Sequence, residues 1–164
     1  MTATTSSKAF RISITDAVAV LFIYLVPTLS HLTAVPFYLI DPMRIAVLGA
    51  LLCTRNWKNS LVLALTLPLF SCLIGMHPVF PKCALIALEL SVNVLLLAWL
   101  MKKMNAGIAA FISILASKAL YYGLKALVLS AGLMQMSLVS TSLWIQLAVA
   151  AVLSLAFALT FRKK

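Results

Sequence analysis

Residues Lys82 to Met101 read KCALIALELSVNVLLLAWLM, and this stretch decides the class of fold. One acid, Glu89, and one amide, Asn93, interrupt an otherwise apolar run, and Lys102-Lys103 follow it. A bilayer's hydrocarbon is crossed by about 20 residues of helix, so the run reads as a membrane-spanning helix with a polar face. Similar runs on either side give spans at about 12 to 30, 37 to 54, 60 to 75, 82 to 101, 106 to 131 and 138 to 161. Between them lie breakers: Ser30-His31 to Pro36, Arg55 to Asn59, Gly75 to Pro81, Lys102 to Asn105 and Gly132 to Ser137. No internal repeat stands out.

The whole chain agrees with that stretch. Of 164 residues, 64% are hydrophobic and 10% charged, with a mean hydropathy of +1.13; an average soluble domain is about a quarter charged. This composition excludes a soluble globular fold, disorder, a coiled coil and a disulfide-stapled scaffold. Six crossings use up the length, so the expectation is an all-α integral membrane six-helix bundle in one domain over 1–164.

Thirteen Lys and Arg stand against three Asp and Glu. Nine of the basic residues fall at the N-terminus (Lys8, Arg11), in alternate loops (Arg55, Lys58, Lys102, Lys103) and at the C-terminus (Arg162 to Lys164). Basic loops face the cytoplasm, which predicts both termini inside and the His31, His77 and Gln135 loops outside. The charge is thus read as topology and attraction to the lipid bilayer, with no nucleic acid implied. Trp57, Trp99 and Trp144 suit the two membrane interfaces. Lys8 and Arg11 precede an apolar run that outlasts a signal-peptide core without a clear cleavage site, so it reads as a retained first helix. Cys53, Cys72 and Cys83 lack paired spacing, which argues against a disulfide framework; oxidation of Cys72 with Cys83 stays open.

Four basic residues (Arg44, Lys82, Lys118, Lys125) and all three acids (Asp16, Asp41, Glu89) lie in or at the edge of the spans. Charges at that depth pair, face the bundle interior or line a cavity, which makes them the candidate functional residues. Asp41 and Arg44, three residues apart, can pair at the outer start of the second helix. At about 1.5 Å per residue, Glu89 lies roughly 10 Å in from Lys82, with Asn93 one turn deeper; Lys125 reaches a similar depth, and Lys118 approaches the midplane. Lys118, Tyr121, Tyr122 and Lys125 follow i, i+3, i+4 and i+7 spacing, one helical stripe. Two readings follow: the lysines compensate Glu89 and Asp41 and hold helices together, or these residues wall a polar, aromatic pocket open to the outside.

The loop from Gly75 to Cys83, GMHPVFPKC, carries two prolines and the soft donors Met76, His77 and Cys83, though a lone His or Cys in a loop is more often unligated. Pro27 and Pro68 fall inside helices and kink them. The chain has no Walker A motif, dinucleotide glycine fingerprint, H-E-x-x-H or G-x-S-x-G. No enzyme is expected.

Pro27 to His31, Asp41-Pro42-Met43-Arg44, Pro68 to Ser71 with Gly75 to Lys82, Glu89-Leu90 with Asn93, and Ser117-Lys118 with Tyr121-Tyr122 form a pattern over nearly the whole chain. It resembles the substrate-binding S components of energy-coupling-factor (ECF) vitamin transporters. The resemblance implies a bundle in the bacterial cytoplasmic membrane that binds a vitamin under its outer loops, at a site here comprising Asp41, Arg44, His77, Lys82, Cys83, Glu89, Asn93, Lys118, Tyr121, Tyr122 and Lys125. In most members a membrane coupling subunit and two ATPases drive release inside. Helix 1 offers small residues Ala9, Ser13 and Ala17, and Thr15 and Ala19, in place of the family's usual Ala-x-x-x-Ala docking face, so a solitary component is the other implied form. The solitary cobalamin-specific type makes cobalamin the leading single substrate, with Cys83 as cobalt ligand and His77 as the alternative; the chain has no cofactor of its own. A non-transporting scaffold similar to the cell-shape protein MreD is the rival reading.

Overall fold

A computed structural model describes residues 3–33, 36–75, 80–132 and 142–161. They form six α-helices and one short 3-10 turn, with no strand among the described residues: α1 (Ala3–Thr33), the 3-10 turn η1 (Phe37–Ile40), α2 (Pro42–Thr54), α3 (Trp57–Gly75), α4 (Phe80–Leu100), α5 (Ala106–Ser130) and α6 (Leu143–Thr160). Four helices contain segments long and apolar enough to cross a membrane, Ser7–Thr33, Phe80–Leu100, Ala106–Ser130 and Leu143–Thr160; Pro42–Thr54 and Trp57–Leu73 are shorter apolar helices.

The boundaries depart from the sequence reading in several places. α1 starts well before residue 12, and α3 starts at Trp57 instead of 60. The start expected for the sixth span, 138, lies outside the described residues, and its helix is described from Leu143. The expected span 37 to 54 is broken: Asp41 adopts a left-handed conformation, φ 56°, between η1 and α2. The cause is local, because a residue before proline is pushed out of the right-handed helical region and Pro42 is suited to the first turn of a new helix.

The other ends follow from capping chemistry. Arg55, also left-handed at φ 53°, closes α2 with its backbone N–H donating to the Leu51 carbonyl. The Asn105 side chain accepts from the Gly107 N–H at 2.9 Å and opens α5. Within the helices, hydroxyls bond carbonyls one turn back, as Thr54 to Ala50, Ser91 to Ala87, Ser113 to Ala110 and Ser154 to Ala150 do. Such back-bonding satisfies polar groups where no water is available.

α2 is the hub. Among the described residues it touches α1, α3, α4 and α6, while α3, α4, α5 and α6 pack in sequence around it and η1 lies against both α1 and α6. Two apolar clusters flank the hub. One joins Leu48 and Leu51 to Leu97, Ala110, Leu153 and Phe157 of α4, α5 and α6; the other joins Val47 and Ala50 to Ala19, Ile23, Leu67 and Val94 of α1, α3 and α4. The α5–α6 contact is close enough that a methyl group added at Gly107 would sit 2.7 Å from Ala158 Cβ. Large apolar side chains such as Phe10, Val18, Leu73, Val152 and Leu155 point outward, as expected where the surroundings are hydrocarbon.

Candidate binding site

Three helices bring the ionisable residues together: the first turn of α2, the middle of α4 and the second half of α5. Arg44 lies one turn into α2 and is 1% exposed. Its Nε lies 3.1 Å from Asp41 Oδ2, the pairing expected from their spacing, and its Nη2 donates to Glu89 Oε1 across to α4. Lys118 of α5 closes the circuit, with Nζ 2.8 Å from Asp41 Oδ2 and 3.3 Å from Glu89 Oε1. Two carboxylate oxygens and two cations thus alternate in a closed ring that ties α2, α4 and α5 together. Buried ion pairs of this kind are costly to break from one side, because the charge left behind stays in a low-dielectric setting.

Around the ring, donors and acceptors remain. Arg44 Nη1 and Asn93 Oδ1 are buried without a hydrogen-bond partner among the described residues. Asn93, one turn beyond Glu89, donates from Nδ2 to Ser113 Oγ of α5 at 3.4 Å. Tyr121 is buried beside the ring, its aromatic face 5.7 Å from the Lys118 ammonium and 5.8 Å from that of Lys125. Lys125 is fully buried. Lys82 is half-buried in the first turn of α4.

The expected stripe on α5 divides. Tyr121 packs edge-on against Tyr122, ring centroids 5.4 Å apart, but the Tyr122 hydroxyl accepts from Gln146 Nε2 of α6 at 2.6 Å. Residues i+3 and i+4 on one stripe still diverge by about 100° around a 3.6-residue helix, enough here to reach different neighbours. Gln146 is a polar partner that sequence reasoning passed over. Its signal was its place near the start of the apolar run from Leu143 to Phe157. Ser113 and Ser60, both fully buried, were also passed over.

Cys83 is buried with its thiol donating to the Pro68 carbonyl at 3.3 Å, and Cys72 is half-buried near the end of α3. Both are free thiols. Cys83 therefore faces α3, away from the ion-pair ring, and no cluster of three or more His, Cys, Asp or Glu able to hold a metal ion occurs among the described residues. His77 lies outside the described residues. The third acid, Asp16 of α1, is separate from the ring: it accepts from Asn59 Nδ2 of α3 at 2.7 Å.

The opposite end has a different chemistry. Arg55 lies 5.3 Å from the centre of the Phe161 ring, Phe161 stacks on Phe157, and Lys103 lies 4.0 Å from the Trp99 ring. An open recess of about 620 Å³ is lined here by Met101 to Ala106 and Phe161. Comparison with protein-family models, with curated proteins and with solved structures finds no match to the chain.

Proposed function

We propose that the chain crosses the bacterial cytoplasmic membrane six times, with both termini inside, and takes up a vitamin or related micronutrient as an ECF-type S component. The observation that carries this reading is the buried cluster of Asp41, Arg44, Glu89 and Lys118 with unfilled hydrogen-bonding capacity at Arg44 Nη1 and Asn93 Oδ1 beside it. A purely structural ion-pair set gains nothing from leaving buried donors and acceptors unfilled, whereas a binding site needs such groups for a ligand to satisfy. The convergence of Arg55, Lys102 and Lys103 near Phe161 supports that end as the cytoplasmic one. The cluster then lies toward the outside, and coupling to a membrane subunit and two ATPases, or solitary operation, completes the cycle.

Cobalamin is the leading single substrate, through Cys83. Ligating cobalt would require the thiol to give up its bond to Pro68, so a coloured purified protein whose visible absorption changes in Cys83→Ser, but not in Cys53→Ser, is the expected result for that substrate. The closed ring also suits a scaffold like MreD, since its two carboxylates and two cations balance in charge within the protein. Mass spectrometry of small molecules that co-purify with the protein separates the two. A stoichiometric bound molecule, lost in Glu89→Gln, is expected; a protein that carries none, with Glu89→Gln altering only stability, overturns transport in favour of the scaffold.

A further inference from the structure

The end of the bundle opposite the ion-pair ring collects charge of one sign. α4 closes there in a tight turn, the N–H groups of Lys102 and Lys103 donating to the carbonyls of Trp99 and Leu100, and Asn105 then caps α5. This turn and Phe161, just past the end of α6, line the recess of about 620 Å³, within the range of about 300–1,000 Å³ usual for small-ligand sites. Phe161 is anchored by stacking on Phe157, which is fully buried. Both lysines are exposed and line the recess, as does Ala106 at the start of α5, the positive end of that helix's dipole. Arg55 adds a third cation over the Phe161 ring.

No acid answers these cations. Asp41 and Glu89 belong to the ring, Glu89 being twelve residues up α4 from Met101 and so about 18 Å away along the helix. Asp16 is bound to Asn59 of α3. The residues that follow Phe161 are Arg162, Lys163 and Lys164, which are basic as well. The recess also has apolar walls, in Met101, Met104 and Phe161. Trp99, 52% exposed on α4, has the Lys103 ammonium 4.0 Å from its ring, the pairing of an interfacial aromatic with a lysine that reaches headgroup level.

We propose that this recess seats the phosphate of an anionic phospholipid headgroup, with Lys102 and Lys103 as charge-assisted donors and the start of α5 lining the same seat. The site is independent of the micronutrient reading of the ring at the other end. Lipid fits better than a soluble anion because the recess lies at the helix ends beside Trp99, where a bilayer's phosphate layer meets the protein, and because its apolar walls suit the glycerol and first acyl carbons. Two adjacent lysines in one recess hold a single headgroup, whereas diffuse attraction is exerted by every basic residue alike.

Native mass spectrometry of the detergent-solubilised full chain, titrated with phosphatidylglycerol or with phosphatidylcholine of the same acyl chains, tests this. One phosphatidylglycerol should be retained saturably, about tenfold or more tightly than phosphatidylcholine. Lys102→Ala with Lys103→Ala should weaken it by about tenfold or more, and Lys102→Arg with Lys103→Arg should keep it. Lys8→Ala with Arg11→Ala, which removes equal charge from α1, should change the affinity less than about twofold. All four side chains are exposed, so each variant should fold like the parent. Equal retention of the two lipids, or equal losses from the two alanine pairs, would overturn the proposal in favour of diffuse attraction. Affinity for soluble glycerol phosphate equal to that for phosphatidylglycerol would overturn it in favour of a soluble anion.

Discussion

Arg44 and Arg55 stand at the two ends of α2 and meet opposite surroundings. Arg44 is 1% exposed and held by two carboxylates; Arg55 is exposed and lies over the Phe161 ring. An arginine near water is hydrated, and an aromatic face adds only about 0.5–1 kcal/mol. An arginine in the interior needs anions. With three acids in the chain, committing two of them to one cluster leaves one, Asp16, against the nine basic residues of the termini and alternate loops and concentrates the bundle's electrostatic dependence at one end. The same residue type is therefore a surface anchor at one end of a helix and a structural and chemical keystone at the other.

The largest effect expected from this contrast comes from Arg44→Met, which leaves Glu89 and Asp41 sharing Lys118 alone. Breaking a buried pair from one side costs about 3–5 kcal/mol, so unfolding in detergent should occur much earlier than in the parent protein, whereas Arg55→Met should cost under about 1 kcal/mol. Similar losses for both would erase the distinction between the ends. Next is Glu89→Gln, which keeps the shape and removes one charge. Substrate binding should weaken more than tenfold, which is above about 1.4 kcal/mol, while the protein still folds. Unchanged affinity with lowered stability would turn the ring into a fastener.

Gly107→Ala tests the apolar contact between α5 and α6 apart from any charge. The added methyl would meet Ala158 Cβ at 2.7 Å and the Ser154 carbonyl at 2.9 Å, and overpacking of this kind costs about 1–3 kcal/mol. Wild-type stability would mean that the helices part freely. The smallest effect belongs to Lys103→Ala at the exposed Trp99 contact, under about 1 kcal/mol by thermal unfolding. A single cysteine at position 103 should nevertheless label from the cytoplasm and one at position 142 from outside; labelling from one side only would remove the six-crossing topology.

Much of the all-helical class was legible because apolar runs of bilayer length are long-range signals that survive errors of a few residues. Asp41–Arg44 was legible for the opposite reason, since three residues on one helix turn must be neighbours. Arg44–Glu89 was not: it spans 45 residues and depends on how α2 packs against α4, which periodicity does not encode. The break at Asp41 had a local signal in Pro42, outweighed by the apolar residues on either side of it, Phe37 to Ile40 and Ile45 to Leu48. Tyr122 was assigned to the pocket by its spacing alone, whereas its hydroxyl is bound to Gln146, a partner visible only once α6 is set beside α5.

The shortness of α2 bears on insulation. Its 13 residues span about 20 Å, against a hydrocarbon layer of about 30 Å. Because α2 is the hub, the deficit falls within the protein, where η1 lies between α1 and α6. The stretch from Asp41 to Arg55 is thus the shortest α-helix among the described residues, and it begins at the ion-pair ring. The self-energy barrier for an ion, and the distance over which a transmembrane voltage drops, are both reduced along that stretch.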